Sequence, residues 1–296
     1  MARRRALRDD AERKKFGSAA AAGGKRTRDY GPITKHEIED IEERSSPRTP
    51  VIYEIVRRLG EEEMARPLTS LWWSGLAAGL SISFSLLAQA ILQTHLPNES
   101  WRPLVSSLGY SVGFIMVILS RQQLFTESTI TVVLPVMAEF TPRNVALVGR
   151  MWVIVLCANF AGTLFAALFC SLTPVLTPEL RAAMLDISRG IMNHGGLEMF
   201  VKAISAGFLM AAMVWLIPSA DTAQVHVVTL MTYLIAAGGF MHIVAGSMEA
   251  FMLVVSRDLT WTAMMVHFIL PVLAGNIVGG TALFALLSYA QVMKEI

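Results

Sequence analysis

The chain has 296 residues, of which 54% are hydrophobic and only 16% are charged. This composition excludes an ordinary water-soluble domain, in which about a quarter of the residues are charged. The charges are also unevenly spread, because residues 1–70 hold 16 of the 25 Lys and Arg residues and 13 of the 23 Asp and Glu residues. The sequence therefore predicts a charged leading segment followed by a domain embedded in lipid.

The leading segment consists of two predicted parts. Residues 1–50 are basic and contain stretches such as AAAAGG and SSPRTP, which predicts a disordered cytoplasmic tail. No apolar run follows the basic start closely enough for a cleaved export signal. Residues 51–69 place apolar side chains at Val51, Ile55, Val56 and Leu59 ahead of three glutamates, which predicts an amphipathic surface helix. A regulatory or plugging role for this helix is the alternative.

The transport domain is predicted over residues 70–292. A spanning helix needs about 20 mostly apolar residues, because the hydrocarbon core is roughly 30 Å thick. Four segments meet this requirement without interruption: residues 71–92, 151–170, 199–217 and 259–292.

Two further apolar segments are interrupted near the middle by polar residues and glycines. One breaks at residues 120–127 and resumes over 128–138, and the other breaks at 238–242 and resumes over 243–255. Hydrocarbon cannot satisfy free backbone groups, so such breaks persist only where they are buried in protein or line a cavity. Paired interrupted spans in two halves of a chain indicate a transport site.

The two halves also match in sequence. An Asn-Phe-Ala-Gly stretch begins 33 residues after Thr126, and an Asn-Ile-Val-Gly stretch begins 34 residues after His242. The predicted fold is therefore an all-α membrane protein of six spans, a 3+3 inverted repeat of aquaporin-like design with spans 2 and 5 broken. We assign the polar and small residues of the two stretches to close helix packing. They are Asn159, Gly162, Asn276 and Gly279.

Orientation follows from the basic tail, which the positive-inside rule places in the cytoplasm. Six crossings return the C-terminus to the same side. We expect an integral protein of a bacterial inner (plasma) membrane with both termini cytoplasmic.

Three motifs in order resemble the formate/nitrite transporter family. Leu124-Phe125-Thr126 is similar to the family's Leu-Phe-Thr loop, His242 to its single pore histidine, and residues 271–280 to its sixth-span pattern. The resemblance covers residues 71–290 and indicates a divergent branch with an N-terminal extension. It implies a homopentameric channel or transporter, with one pore per subunit, for small monovalent anions or their conjugate weak acids, such as formate, nitrite, hydrosulfide or short carboxylates.

Two residues depart from the family's pattern and leave the identity of the substrate open. Gly207 and Gly246 stand where formate channels carry pore asparagines.

Candidate pore residues follow from the resemblance and from the chemistry of anions in a membrane. His242 could donate a hydrogen bond to the anion or transfer a proton to it. Thr126 offers a hydroxyl, while aromatic and apolar side chains would form constrictions. Lys202 is interpreted as an electrostatic attractor at one vestibule, with snorkelling to the headgroups as the alternative. The constriction residues are Leu124, Phe125 and Phe240.

Three charged residues lie in or near the two interrupted segments. Arg121 and Glu127 flank the first break and are predicted to hold the loop as an ion pair. Glu249 lies seven residues after His242, which places both on one helix face if the helix continues. A vestibule and a subunit interface both remain open for Glu249.

Other functional classes have less support. A neutral-solute channel of aquaporin type is the main alternative, although two Asn-Pro-Ala boxes are absent. The spans contain no His-Glu-x-x-His or Gly-x-Ser-x-Gly pattern, so we expect no enzyme, catalytic residue, metal, cofactor or nucleic-acid partner. Cys157 and Cys170 are interpreted as small buried apolar residues.

Overall fold

The structure, a computed structural model, describes residues 34, 36, 37, 41 and 47–296. The chain divides into a unit of residues Met1–Ser46 and a helical unit of residues Pro47–Ile296. Almost all of the predicted disordered tail lies outside the described residues, so that prediction stays untested. In the described part of the chain the regular elements are all helices.

The first helix, α1 (Thr49–Ala65), packs one stripe of its surface against the domain. Of the four apolar positions noted in the sequence, Val56 is buried, and Val51, Ile55 and Leu59 are exposed. The buried stripe has helical spacing, and its Gly60 packs directly on the chain at Thr131. The buried residues are Tyr53, Val56, Gly60 and Met64.

The remaining helices follow in chain order. In the first half they are α2 (Leu68–Ile82), α3 (Phe84–His95), α4 (Arg102–Ser106), α5 (Ser111–Leu119), α6 (Phe125–Thr131), α7 (Val133–Ala138) and α8 (Pro142–Leu172). In the second half they are α9 (Pro178–Met192), α10 (Gly196–Ala220), α11 (Gln224–Ala237), α12 (Ile243–Val255), α13 (Trp261–Ala263), α14 (Leu270–Ile277) and α15 (Leu286–Val292). Short 3₁₀ turns precede α5 and α11, and π-helical stretches flank α14.

Five helical stretches of the described chain are long and apolar enough to cross a membrane, and two shorter apolar helices accompany them. The long stretches are Leu68–His95, Arg102–Leu119, Pro142–Leu172, Gly196–Ala237 and Trp261–Val292. The shorter ones are Phe125–Ala138 and Ile243–Val255. Cys157, in the third long stretch, is exposed, so the prediction that it is buried was wrong.

Two non-helical segments of five residues separate these helices. The first interruption, residues 120–124, lies between α5 and α6, and the second interruption, residues 238–242, lies between α11 and α12. Each contains a residue in the left-handed region two positions after the preceding helix, Arg121 with φ 51° and Gly239 with φ 61°. Glycine adopts this conformation without cost, whereas arginine does so under strain.

The second interruption has the predicted bounds, but the first is shorter than predicted. Helix α6 begins at Phe125 rather than Ser128, so Thr126 and Glu127 belong to a helical first turn instead of a loop. The physical reason is a hydrogen bond from the Phe125 N–H to the Asn159 side chain, which satisfies the backbone at the new helix start.

Glycines bring the long helices into backbone contact. A Cβ on Gly162 would lie 2.4 Å from the carbonyl oxygen of Leu76, so α8 lies directly on α2. A Cβ on Gly279 would lie 2.0 Å from the carbonyl oxygen of Ile204, which brings the stretch after α14 equally close to α10. Small residues permit this approach between membrane helices.

Candidate functional site

Thr126 and His242 meet where the two interruptions end. Thr126 lies in the first turn of α6, and His242 is the residue before α12. The Thr126 Oγ1 and His242 Nε2 atoms are 2.7 Å apart, and both side chains are buried. Helix starts from two distant parts of the chain therefore share one hydrogen bond.

The hydrogen-bond network fixes the tautomer of His242. The Ala245 N–H donates to Nδ1 at 3.2 Å, so Nδ1 is the acceptor nitrogen of a neutral imidazole. Nε2 then carries the hydrogen and donates it to Thr126. The Thr126 hydroxyl accepts this bond and keeps its own hydrogen for another partner. The ring also packs edge-on against Phe114, with centroids 5.0 Å apart.

Asn159 holds the first interruption. Its Oδ1 accepts from the Phe125 N–H at 3.0 Å. Its Nδ2 donates to the carbonyl oxygens of Gly75 and Gln123, at 2.8 and 2.9 Å. The side chain thus joins α8, α2 and both ends of the turn into α6.

Asn276 holds the second interruption in the same way. Its Oδ1 accepts from the Ile243 N–H at 2.8 Å, and its Nδ2 donates to the carbonyl oxygens of Ala203 and Met241 at 2.8 and 2.9 Å. Both asparagines were predicted to serve helix packing, and their hydrogen bonds to the interruptions were not predicted. The matching distances along the chain from Thr126 and His242 were the signal that could have revealed it.

A cavity of about 210 Å³ adjoins His242 on the side of α9. Helices α3, α9, α11 and α12 contribute to its wall. Its lining includes two histidines, one carboxylate and three aromatic rings: His194, His242, Glu249, Tyr110, Phe240 and Phe268.

The predicted constriction residues separate into two groups. Phe240 lines the cavity, whereas Leu124 and Phe125 do not. Leu124 is buried, and the Phe125 ring packs edge-on against Trp152 with centroids 5.8 Å apart. Of the Leu-Phe-Thr stretch, therefore, only Thr126 contributes a polar group to the site. The side chains of Leu124 and Phe125 pack in the protein interior.

Glu249 faces the cavity. Its side chain is 2% exposed, and its Oε2 has no hydrogen-bond partner. Glu249 and His242 line the same cavity. The structure thereby favours the vestibule position over the subunit interface.

Lys202 lies next to the cavity rim rather than in its wall. Its Nζ forms an ion pair with Glu198 at 3.0 Å and approaches His194 Nε2 at 3.1 Å. His194 in turn contacts Glu198 at 2.8 Å and lines the cavity. The lysine charge is therefore partly neutralised by a carboxylate one helical turn away.

The predicted pair of Arg121 and Glu127 does not form. Among the described residues Arg121 makes no ion pair, and its side chain is exposed. Glu127 lies in the first turn of α6, and its Oε1 is buried without a partner. The left-handed backbone at Arg121 and the early start of α6 explain why the two side chains do not meet.

Helix α1 contributes a carboxylate that sequence reasoning missed. Glu63 accepts hydrogen bonds from Thr131 Oγ1 at 2.6 Å and from Gln123 Nε2 at 3.1 Å. Burial raises the pKa of Glu63, and these two hydrogen bonds oppose that shift. The sequence alone gave no signal, because three consecutive glutamates on an amphipathic helix are typical of a solvated face.

The two glycines at the expected asparagine positions differ in their surroundings. A Cβ on Gly207 would lie 2.3 Å from the carbonyl oxygen of Asn276, so Gly207 belongs to a helix contact. Gly246 lines the cavity, and a Cβ there would lie 2.4 Å from Cζ of Phe268. Only Gly246 therefore affects the space beside His242.

Comparison with known sequences identifies the protein family that this chain matches. The sequence model described as "Formate/nitrite transporter" matches residues 50–290. Inner membrane protein YfdC of Escherichia coli is 46% identical over 259 residues, which cover 88% of this chain and 84% of that protein. The formate channel FocA of Haemophilus influenzae is 29% identical over 241 residues, covering 73% of this chain and 84% of that protein.

Two solved structures share the fold. One is a pentameric formate channel with formate bound, with a TM-score of 0.66 over 77% of this chain and 98% of the other. The other is an ion channel of the same family, with a TM-score of 0.69 over 82% and 98% of the two chains. Both are 21% identical in sequence to this chain, so they report on its fold alone.

Proposed function

The chain belongs to the formate/nitrite transporter family, and from that premise we propose that it is a membrane channel or transporter for a small monovalent anion or its conjugate weak acid. The observation that carries the proposal is the buried hydrogen bond between Thr126 and His242. It unites two helix starts in the interior, beside a cavity of molecular size. Formate, nitrite, hydrosulfide and short carboxylates are the substrate candidates.

The proposed architecture is six spans in a 3+3 inverted repeat, in which α6–α7 and α12 complete the second and fifth spans. The matching roles of Asn159 and Asn276 support it, because each binds a carbonyl oxygen near the end of one interruption and the first N–H of the helix that follows it. Irregular backbone at membrane depth is tolerated where such partners satisfy it. A homopentamer in a bacterial inner membrane, with both termini in the cytoplasm, completes the proposal.

The proposed site acts mainly by hydrogen bonding. An anion that leaves water loses hydration worth tens of kcal/mol in a medium of low dielectric constant, so the passage must supply donors. The free hydroxyl hydrogen of Thr126 is one such donor, and His242 orients it by donating to its oxygen. Phe240 narrows the cavity beside this point, and Lys202 raises the local concentration of anions near the rim.

Formate flux into proteoliposomes tests the proposal. Thr126→Val removes the hydroxyl and leaves Nε2–H without an acceptor, whereas Thr126→Ser keeps both. A hydrogen bond contributes about 0.5–1.5 kcal/mol to a neutral acid and about 1.5–3 kcal/mol to an anion, so we expect Thr126→Val to lower formate flux roughly twofold to a hundredfold. Thr126→Ser should retain most of the flux.

The contrary outcomes are equally specific. Formate, nitrite, acetate and hydrosulfide fluxes that do not exceed those of protein-free liposomes would contradict the proposed function. Glycerol flux that is unaffected by Thr126→Val, without any flux of weak acids, would support a channel for neutral solutes instead.

A further inference from the structure

The cavity beside His242 contains a carboxylate that the proposed pathway does not use. Glu249 lines the cavity and is 2% exposed, and its Oε2 has no hydrogen-bond partner. A buried polar oxygen without a partner is costly and is seldom retained without a reason. An occupant of the cavity that shares a proton with the Glu249 carboxyl group would reduce this cost, because the protonated carboxyl group carries no charge.

His242 is poorly arranged to move a proton itself. Its Nδ1 accepts from the Ala245 N–H, and its Nε2–H donates to Thr126. Binding a second proton at Nδ1 would break the bond to Ala245 at the start of α12. The imidazole therefore serves as a fixed donor, and a proton that travels with the solute needs another carrier.

Resting on the function proposed above, we propose that Glu249 is the proton carrier of this transporter, and that a small weak-acid anion in the cavity shares one proton with its carboxyl group. The substrate class is thereby narrowed to conjugate bases of weak acids that pass together with a proton.

The proton step is a simple exchange between two oxygens. The O–H bond of protonated Glu249 breaks as an O–H bond forms on the bound carboxylate, leaving an uncharged acid and an ionised Glu249. The uncharged acid then passes the buried Thr126 and His242 pair without the desolvation cost of an ion. Water at the exposed cavity rim, where Gly190 and Gly239 lie, returns a proton to Glu249.

The neighbours of Glu249 leave it free for this exchange. The titratable groups that share its cavity are His242 at the start of α12, Tyr110 from the turn before α5, and His194 after α9. The other lining residues, from α3, α9, α11, α12 and the segments beside them, are a glutamine, glycines and apolar side chains. In the described part of the chain no basic side chain forms an ion pair with Glu249.

The experiment compares charge movement with proton movement in proteoliposomes that contain the full-length protein and are given formate. Wild type should acidify the lumen, as a pH-sensitive dye reports, with little net current on a solid-supported membrane. Glu249→Gln keeps the shape of the side chain but cannot release a proton. We expect it to lower the ratio of acidification to current roughly tenfold or more, which corresponds to at least about 1.4 kcal/mol of lost preference for the neutral acid.

Two further variants keep the test decisive. Glu249→Asp retains a carboxyl group and should retain acidification even if Glu249→Gln abolishes all flux. Glu127→Gln neutralises another buried carboxyl with an unpartnered oxygen, outside this cavity, and should leave the ratio at its wild-type value. Protein-free liposomes correct for leakage of formic acid.

Three results of the formate measurements would overturn the proposal. They are a wild-type formate current without acidification, a wild-type ratio in Glu249→Gln, and equal loss of flux in Glu249→Gln and Glu249→Asp while both remain assembled. The first two would leave the proposed function intact, because formate would still cross. Absence of formate flux in wild type would contradict the proposed function itself. Methylammonium flux that depends on Glu249 would identify a cation site and also overturn the proton-carrier role.

Discussion

Asn159 and Asn276 each satisfy three backbone groups that a membrane interior would otherwise leave without partners. An asparagine suits this role because its amide offers an acceptor and two donors in one plane. Aspartate has the same shape but offers only acceptors. The pair therefore allows a substitution that changes hydrogen bonding with little change in volume.

Replacement of Asn276 by aspartate should destabilise the second interruption. The carbonyl oxygens of Ala203 and Met241 would lose their donor and face a carboxylate, at a cost of about 1–3 kcal/mol for each unsatisfied group. We expect a lower thermal midpoint in detergent, measured by fluorescence-detected size-exclusion chromatography. Asn144→Asp is the matched control, because Asn144 also donates to one carbonyl oxygen but is reached by water. An equal midpoint for the two variants would contradict the assigned role.

At the scale of elements, the two glycines of the fourth and fifth predicted spans should respond differently to alanine. Gly207 meets rigid backbone at Asn276, whereas Gly246 meets the far end of the Phe268 side chain, which lines the cavity and can shift into it by a change of its χ1 angle. We expect Gly207→Ala to reduce assembly and Gly246→Ala to assemble with a smaller cavity and lower formate flux. Size-exclusion chromatography and the proteoliposome assay measure the two effects. Intact assembly of Gly207→Ala with wild-type flux would show that the helices can separate at this point.

The interruptions were predictable from sequence because glycines and polar residues disrupt apolar runs at matching places. The start of α6 was misplaced by three residues, since the bond from the Phe125 N–H to Asn159 joins residues 34 positions apart. The packing of α1 on the domain was not predictable from the sequence for a similar reason. Gly60 lies against Thr131, and no local pattern indicates that a glycine forms the contact. Contacts between residues far apart in the sequence thus determine the start of α6 and the buried side of α1, which the apolar periodicity alone does not predict.

Docking of α1 should depend on pH through Glu63. Burial raises the pKa of Glu63 in the docked helix, so the docked state binds a proton more tightly than the free helix does. Docking is therefore strongest below the ordinary glutamate value of about 4.3 and weakens as pH rises through the raised value. Hydrogen exchange of residues 49–65, corrected for intrinsic rates, should show more protection at the lower pH. The dependence should flatten in Glu63→Gln, and persistence there would assign it to another group.

At the scale of the whole molecule, α1 packs against the first interruption and the helix that follows it. Glu63 binds Gln123 from that interruption and Thr131 from the end of α6. The same interruption is bound from its other side by Asn159. The turn that leads to Thr126 is therefore held between α1 and α8, and the position of Thr126 depends on both.

Two truncations separate the tail from this helix. Removal of residues 1–46 leaves the unit Pro47–Ile296 complete, so we expect unchanged thermal stability and formate flux. Removal of residues 1–66 also deletes α1 and leaves the Gln123 amide and the Thr131 hydroxyl without Glu63, at a cost of about 1–3 kcal/mol for each group. The shorter protein should melt earlier and lose flux. If the first truncation already prevented assembly, the tail would be part of the folded unit; if the second had no effect, Asn159 alone would suffice to hold the turn in place.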